Sequence, residues 1–183
     1  VHKATLKNGK KVVVKLKRPG ILNIMKSDTN NVKKILDFIQ SIGVDTGSSS
    51  NFVLNDSIEY LLGEADYRQE VENAIKFRRS LKGIDWIKVP YMYKKYCTDD
   101  MIVMEYVEAD KITEIKNKRI NRKKVCEALV NSYVIQTMDS GLFHGDPHPG
   151  NLAISKDGKL VFYDFGLLIE LNDELKQGFS DLF

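Results

Sequence analysis

The chain has 183 residues, 43% hydrophobic and 29% charged, enough to bury a core as one large domain or two small lobes. Its net charge of +3 is too small to argue for a nucleic-acid partner; seven of the first eighteen residues are Lys or Arg, but such a run reads as a solvated strand face. Two cysteines give no disulfide framework and suggest a reducing compartment or organelle interior, and no apolar run reaches the ~18 residues of a membrane span.

In chain order, Val1 to Leu6 and Lys11 to Lys17 flank Asn8-Gly9, the strongest short hairpin signal. Pro19-Gly20 ends the second strand. From Ser27-Asp28 a helix is expected, with Val32, Ile35, Leu36, Ile39 and Ile42 at helical spacing. Thr46 to Asn51 reads as a polar loop, and a long helix is predicted from about Asp56 to Leu81. Trp86 to Val89 and Met101 to Val107 read as strands. Arg122 to Ser140 is a helix stopped by Gly141, with Val125, Leu129, Tyr133 and Gln136 near one face. Leu152 to Ser155 and Leu160 to Tyr163 form a second hairpin around Asp157-Gly158. The fold class is α+β, with a strand-rich unit over 1–107 and a helical one over 108–183. A start within a strand and an end without a stop signal read as a piece of a longer chain.

The stretch His144-Gly-Asp-Pro-His-Pro-Gly-Asn151 admits three readings: a metal site (His144, Asp146, His148), a plain turn, or a catalytic loop. Zinc normally wants a third or fourth N/S ligand, which the sequence does not offer nearby. Asp146 and Asn151 have the spacing of the kinase H-R-D-x-x-x-x-N loop, where the aspartate orients an attacking hydroxyl and the asparagine reaches magnesium. Asp164-Phe-Gly follows thirteen residues later, its carboxylate suited to the same hard ion. Upstream, Val13 and Lys15 share one strand face, a pattern that would place a valine on a nucleotide base and a lysine on its phosphates. Glu64, Asp66 and Glu70 supply helix acids, Asp66 and Glu70 one turn apart on one face. Met104-Glu105-Tyr106-Val107 is hinge-like, with backbone groups of Glu105 and Val107 facing an adenine edge.

These residues together resemble the UbiB family (AarF/coenzyme Q8-type atypical kinases), a protein-kinase-like two-lobe fold. The resemblance rests on Val1-His-Lys-Ala4, Val-Val-Val-Lys15 with Lys17-Arg-Pro-Gly20, Glu64-Ala-Asp66-Tyr-x-x-Glu70, Val103-Met-Glu-Tyr-Val107, the His144 to Asn151 loop and Asp164-Phe-Gly166. It implies ATP and magnesium as cofactors, with Lys15 paired to Glu70, Asp146 catalytic, Asn151 and Asp164 on the metal, and Val1, Val13, Met104, Glu105 and Val107 around the nucleotide. It also implies that Glu64 and Asp66 face a K-x-G-Q extension, and that the protein serves coenzyme Q or isoprenoid-lipid metabolism, soluble or at a membrane periphery. Two departures stand out: Val13 where alanine is usual, and Ala109 where glycine often follows the hinge. The alternatives are a small-molecule kinase of the aminoglycoside or choline type and a nucleotide-binding pseudokinase scaffold. The phosphoacceptor is not legible.

Overall fold

The computed structural model describes residues 1–42, 63, 65–117 and 120–181. The predicted first hairpin forms as β1 (His2–Thr5) and β2 (Lys11–Leu16), in register from His2 opposite Val14 to Thr5 opposite Lys11. Gly9 turns the chain with φ 82°, a left-handed conformation that glycine takes without steric cost.

Helix α1 (Ile21–Ser41) begins six residues before the expected start. Gly20, at φ 75°, caps it, and its carbonyl accepts from the amides of Asn23 and Ile24. The Pro19-Gly20 pair that ends the strand therefore also starts the helix, and Ile21 and Ile24 extend the apolar repeat. No residue of α1 is buried.

The long helix expected over 56–81 is corrected. Residues 43–62, where the polar loop and the first part of that helix are expected, and Glu64 lie outside the described residues. The described helix α2 (Tyr67–Ser80) is capped by Asp66, whose carboxylate accepts the amides of Arg68 and Gln69 at 3.0 Å. An aspartate bonding its own helix terminus favours a start over a continuation. Asp66 thus stands at the cap: its carbonyl accepts the Glu70 amide one turn on at 3.0 Å, but its side chain closes the helix end instead of lining a shared face with Glu70.

Beyond α2 come β3 (Ile87–Lys88), shorter than predicted, and β4 (Met101–Glu105), which closes a three-stranded antiparallel sheet in the order β1-β2-β4. Strand β5 (Ala109–Lys111) opens at Ala109. Helix α3 (Arg122–Ile135) starts where predicted, capped by the Asn121 side chain on the amides of Lys123 and Lys124. Its last turn, Gln136–Ser140, is a π-helix ended by Gly141 at φ 65°. Strand β6 (Leu142–His144) pairs with β9 (Leu168–Glu170), and a short helix, α4 (Asp173–Ser180), follows. The second hairpin, β7 (Leu152–Ser155) and β8 (Leu160–Phe162), centres a four-stranded sheet in the order β3-β8-β7-β5.

One core joins these layers. Phe77 of α2 meets Phe162 and Phe165 at ring distances of 5.4 and 5.6 Å, and all three rings are fully buried. Each such aromatic buries 150–250 Å², so this cluster locks α2 onto the β7–β8 hairpin and the segment that follows it.

Candidate active site

Strand β2 alternates, so Val13 and Lys15 share a face, and the register sets them opposite Met104 and Ile102. Lys15 reaches across to α2 and places its Nζ 2.8 and 2.9 Å from the two carboxylate oxygens of Glu70. The same ammonium lies 3.2 Å from Asp164 Oδ2. Residues 15, 70 and 164 thus meet at one point although the sequence separates them widely.

Glu70 is 1% exposed, and Asp164 is 44% exposed. One lysine between two carboxylates leaves the triad with a net charge of −1. Burial raises the Glu70 pKa above its ordinary value and the Asp164 charge adds to this, while Lys15 opposes both. For Lys15, burial alone would lower the pKa, but Glu70 and Asp164 outweigh it and hold the ammonium charged. A buried charge that keeps its ionised form needs such partners.

Asp164 has φ 57°, the only non-glycine residue with positive φ among the described residues. Strain of this kind costs about 1–3 kcal/mol and persists where surroundings enforce it. Three contacts do so. His144, wholly buried, sets Nε2 2.7 Å from the Asp164 carbonyl and 3.3 Å from that of Tyr163. Asn73 of α2 donates to the Phe165 carbonyl at 2.8 Å and accepts from Gln69 at 2.8 Å. The Gly166 amide donates to Asp164 Oδ1 at 3.3 Å.

The loop after β6 supplies the other half. Asn151 donates its side-chain amide to Asp146 Oδ2 at 2.6 Å, and the His148 amide donates to Asp146 Oδ1 at 3.3 Å. The Tyr163 amide bonds the Asn151 carbonyl at 2.8 Å, tying this loop to the strand that delivers Asp164. His148 accepts the Gly150 amide on Nδ1 and so closes the turn Pro149–Asn151. Both histidines of the metal reading therefore have structural work: His144 Nε2 must carry its proton to bond two carbonyls, and His148 Nδ1 is occupied. A side chain on Gly145 would meet Leu167 at 2.5 Å, so the loop passes too close to that residue for anything larger than glycine.

Asn151 Nδ2 is spent on Asp146, which leaves its Oδ1 as the acceptor end of the amide. Together with the Asp164 carboxylate this is an all-oxygen donor set, which fits magnesium better than a soft or N-ligated ion.

At the hinge, Met104 is buried, and the Glu105 amide is committed to the Tyr91 carbonyl at 2.8 Å. The Glu105 carboxylate holds Lys88 and the Tyr91 amide. The Tyr106 amide bonds the Lys11 carbonyl, whereas among the described residues the Val107 amide has no backbone partner. Val13 is half-buried against the core. Val1 is 81% exposed just before β1. Asp66 is spent as a helix cap, and Glu64 is outside the described residues.

Sequence reading assigned no role to Asn73 or Gln136, although each stands among apolar neighbours on a core-facing helix side. Asn73 lies three residues after Glu70 and four before Phe77, one buried stripe. A polar residue in such a stripe is the signal that it bonds something inside.

The whole chain, residues 1–183, matches the ABC1 atypical kinase-like domain. It is 36% identical over its full length to the protein Activity of BC1 Complex Kinase 7, chloroplastic, of Arabidopsis thaliana, covering 27% of that protein. It is 31% identical to the probable protein kinase UbiB of Erwinia tasmaniensis, with 100% of the chain aligned to 35% of that protein. The chain thus spans about a quarter to a third of the length of these relatives. Among solved structures, Rv3197 of Mycobacterium tuberculosis, determined in complex with erythromycin, superposes with a TM-score of 0.72 at 25% identity, over 93% of this chain and 43% of that one. A protein-kinase-like α+β fold, a lysine–glutamate–aspartate triad and a matching domain along its full length agree: the chain belongs to the ABC1 (UbiB/AarF) family of atypical kinases.

Proposed function

We propose that this protein binds ATP with magnesium and acts as a phosphotransferase or ATPase, the 1–107 unit and the 108–183 unit forming the two walls of a nucleotide cleft. The observation that carries the reading is the convergence of Lys15, Glu70 and Asp164 beside the Asp146–Asn151 pair. Lys15, held by Glu70, would bind phosphate oxygens, Val13 and Met104 would contact the base, and the Glu105 carbonyl and Val107 amide would read its edge. Asn151 and Asp164 would hold magnesium, which supplies neutralisation of phosphate charge when bound.

Asp146 would orient an acceptor hydroxyl or a water. As the acceptor oxygen bonds the γ-phosphorus, the bond from that phosphorus to the bridging oxygen breaks, ADP leaves, and the hydroxyl proton passes to the Asp146 carboxylate. The bonds from Asn151 and the His148 amide fix that carboxylate in advance, which is the kind of preorganisation such chemistry relies on. The tie to coenzyme Q or isoprenoid lipids rests on the likeness to UbiB alone, and a peripheral membrane contact follows from the same analogy.

The test is thermal unfolding of the full-length protein with ATP, ADP and GTP, with and without magnesium, beside Asp164→Asn. Ligand at 100 times its Kd adds about 2.7 kcal/mol of stability. Magnesium-ATP is expected to raise the Tm, and the variant to lose only the magnesium-dependent part. No shift with any nucleotide in either protein would overturn the reading.

A further inference from the structure

The last turn of α3 leaves a residue whose geometry no catalytic role yet explains. Gln136 is fully buried, and its Oε1 accepts the backbone amide of His144 at 2.8 Å. His144 in turn bonds the Asp164 carbonyl at 2.7 Å. The connection therefore runs from the end of α3, through the strand that leads into the Asp146 loop, to the strained residue that carries the metal carboxylate. The helix widens to a π turn at Gln136. Such turns insert one extra residue per turn, rotate the side chains that follow, and recur at functional sites.

Three polar atoms in this region have no partner among the described residues: Gln136 Nε2, His144 Nδ1 and the Tyr133 hydroxyl. Tyr133 stands one helical turn before Gln136, its ring against Phe143 and Phe162, and the His144 ring also packs on Phe162. Their chemistry is complementary. With Nε2 protonated, the neutral imidazole offers Nδ1 as an acceptor, Gln136 Nε2 is a donor, and a hydroxyl is either. Buried polar groups of this kind are normally satisfied by a protein partner or by an ordered water with two to four contacts.

We propose that Gln136 is the positioning residue of the catalytic loop: its side-chain oxygen fixes the His144 backbone, and its amide, with Tyr133 and the His144 ring, encloses one internal water. The inference rests on the phosphotransfer reading for its kinetic consequence, but not for its structural one. Gln136 touches no substrate. It sets where Asp146 and Asp164 stand relative to each other.

The experiment compares the full-length protein with Gln136→Met, which keeps the length and removes both polar ends. It also uses Gln136→Glu, which restores the acceptor and, when protonated, the donor. Two readouts are taken: steady-state ATP hydrolysis, and hydrogen exchange of the segment 142–146. Gln136→Met is expected to lower kcat about 10- to 100-fold, the scale set by a misplacement of about 1 Å. The KM for ATP should stay within about twofold, since Lys15 and the hinge are untouched. Exchange at the His144 amide should quicken, and Gln136→Glu should recover both readouts in large part. Equal behaviour of the two variants, or parallel losses in kcat and ATP affinity, would overturn the role. A wild-type His144 amide that exchanges like an exposed loop amide would overturn it without any variant, so it can be decided even if Gln136→Met does not fold. If the wild type hydrolyses no ATP yet exchange follows the expected pattern, the clamp stands and the phosphotransfer reading falls.

Discussion

Helices α1 and α2 carry comparable warrants in the sequence and have opposite fates in the structure. Across its 21 residues α1 repeats Ile21, Ile24, Val32, Ile35 and Ile39 along one side, yet none is buried, and Ile35 is 57% exposed. Across 14 residues α2 is less apolar but buries Tyr67, Glu70, Val71, Asn73, Ala74 and Phe77. Periodicity reports that a helix has an apolar side; it does not report what that side meets. In α2 the buried side includes a carboxylate and an amide because each has a partner across the interface, Lys15 for Glu70 and the Phe165 carbonyl for Asn73.

This contrast can be broken or sharpened by substitution. Phe77→Ala removes the ring that meets three others and should cost about 3–5 kcal/mol in denaturant unfolding; a loss below 1 kcal/mol would mean α2 is not seated on the core. Lys15→Met should cost about 2 kcal/mol or more, discounted from the 3–5 typical of a broken buried pair because Lys15 is partly exposed. It should also abolish the magnesium-ATP shift.

Acid titration tests the sign of the Glu70 shift. Its folded pKa lies above the ordinary value, through burial first, so the folded state holds this proton more tightly than the unfolded chain does. Stability from this group is present at the acid side and falls as pH rises through the window between the two values. The stability difference between wild type and Glu70→Gln should therefore shrink with rising pH in that window. A difference that grows instead would show that attraction to Lys15 outweighs burial. The Lys15 contribution has its own window: with a raised folded pKa it is complete at neutral pH and lost only in strong alkali.

Asp66→Ala removes a cap and should cost about 1 kcal/mol, read as a lower unfolding midpoint with an unchanged slope. Ile35→Ser on α1 should change stability by less than about 0.5 kcal/mol. A loss above 1 kcal/mol there would mean that the apolar side of α1 is covered by chain outside the described residues.

Local chemistry was the legible part. Asn8-Gly9, Gly141 and Asp157-Gly158 each announce a turn or terminus through backbone demands that few residues meet, and the structure follows them. Lys15, Glu70 and Asp164, and the pair Asp146 and Asn151, could be singled out because their residue types recur at fixed spacings in the family they resemble, and the structure brings each set into contact. Where a residue had two uses, the reading went wrong. Gly20 both ends a strand and caps a helix, and Asp66 reads equally well as a helix-face acid or a helix start; only the fold decides. Gln136 and Asn73 show in the sequence only as polar residues in apolar stripes; which group each bonds was out of reach, because the His144 amide and the Phe165 carbonyl are backbone groups that leave no mark in side-chain identity.

Strand β3 pairs in parallel with β8, Ile87 beside Leu160 and Lys88 beside Val161. A stretch from the 1–107 half of the chain is thereby hydrogen-bonded into the sheet built by residues 109–162. The pairing crosses the boundary expected near residue 108, which is therefore not a seam for folding. The sheet β1-β2-β4 is complete within the first half, but the four-stranded sheet lacks its β3 edge until both are joined, so the chain is expected to fold late and cooperatively. Separately expressed halves should each present an unsatisfied strand edge and self-associate rather than reconstitute the native fold.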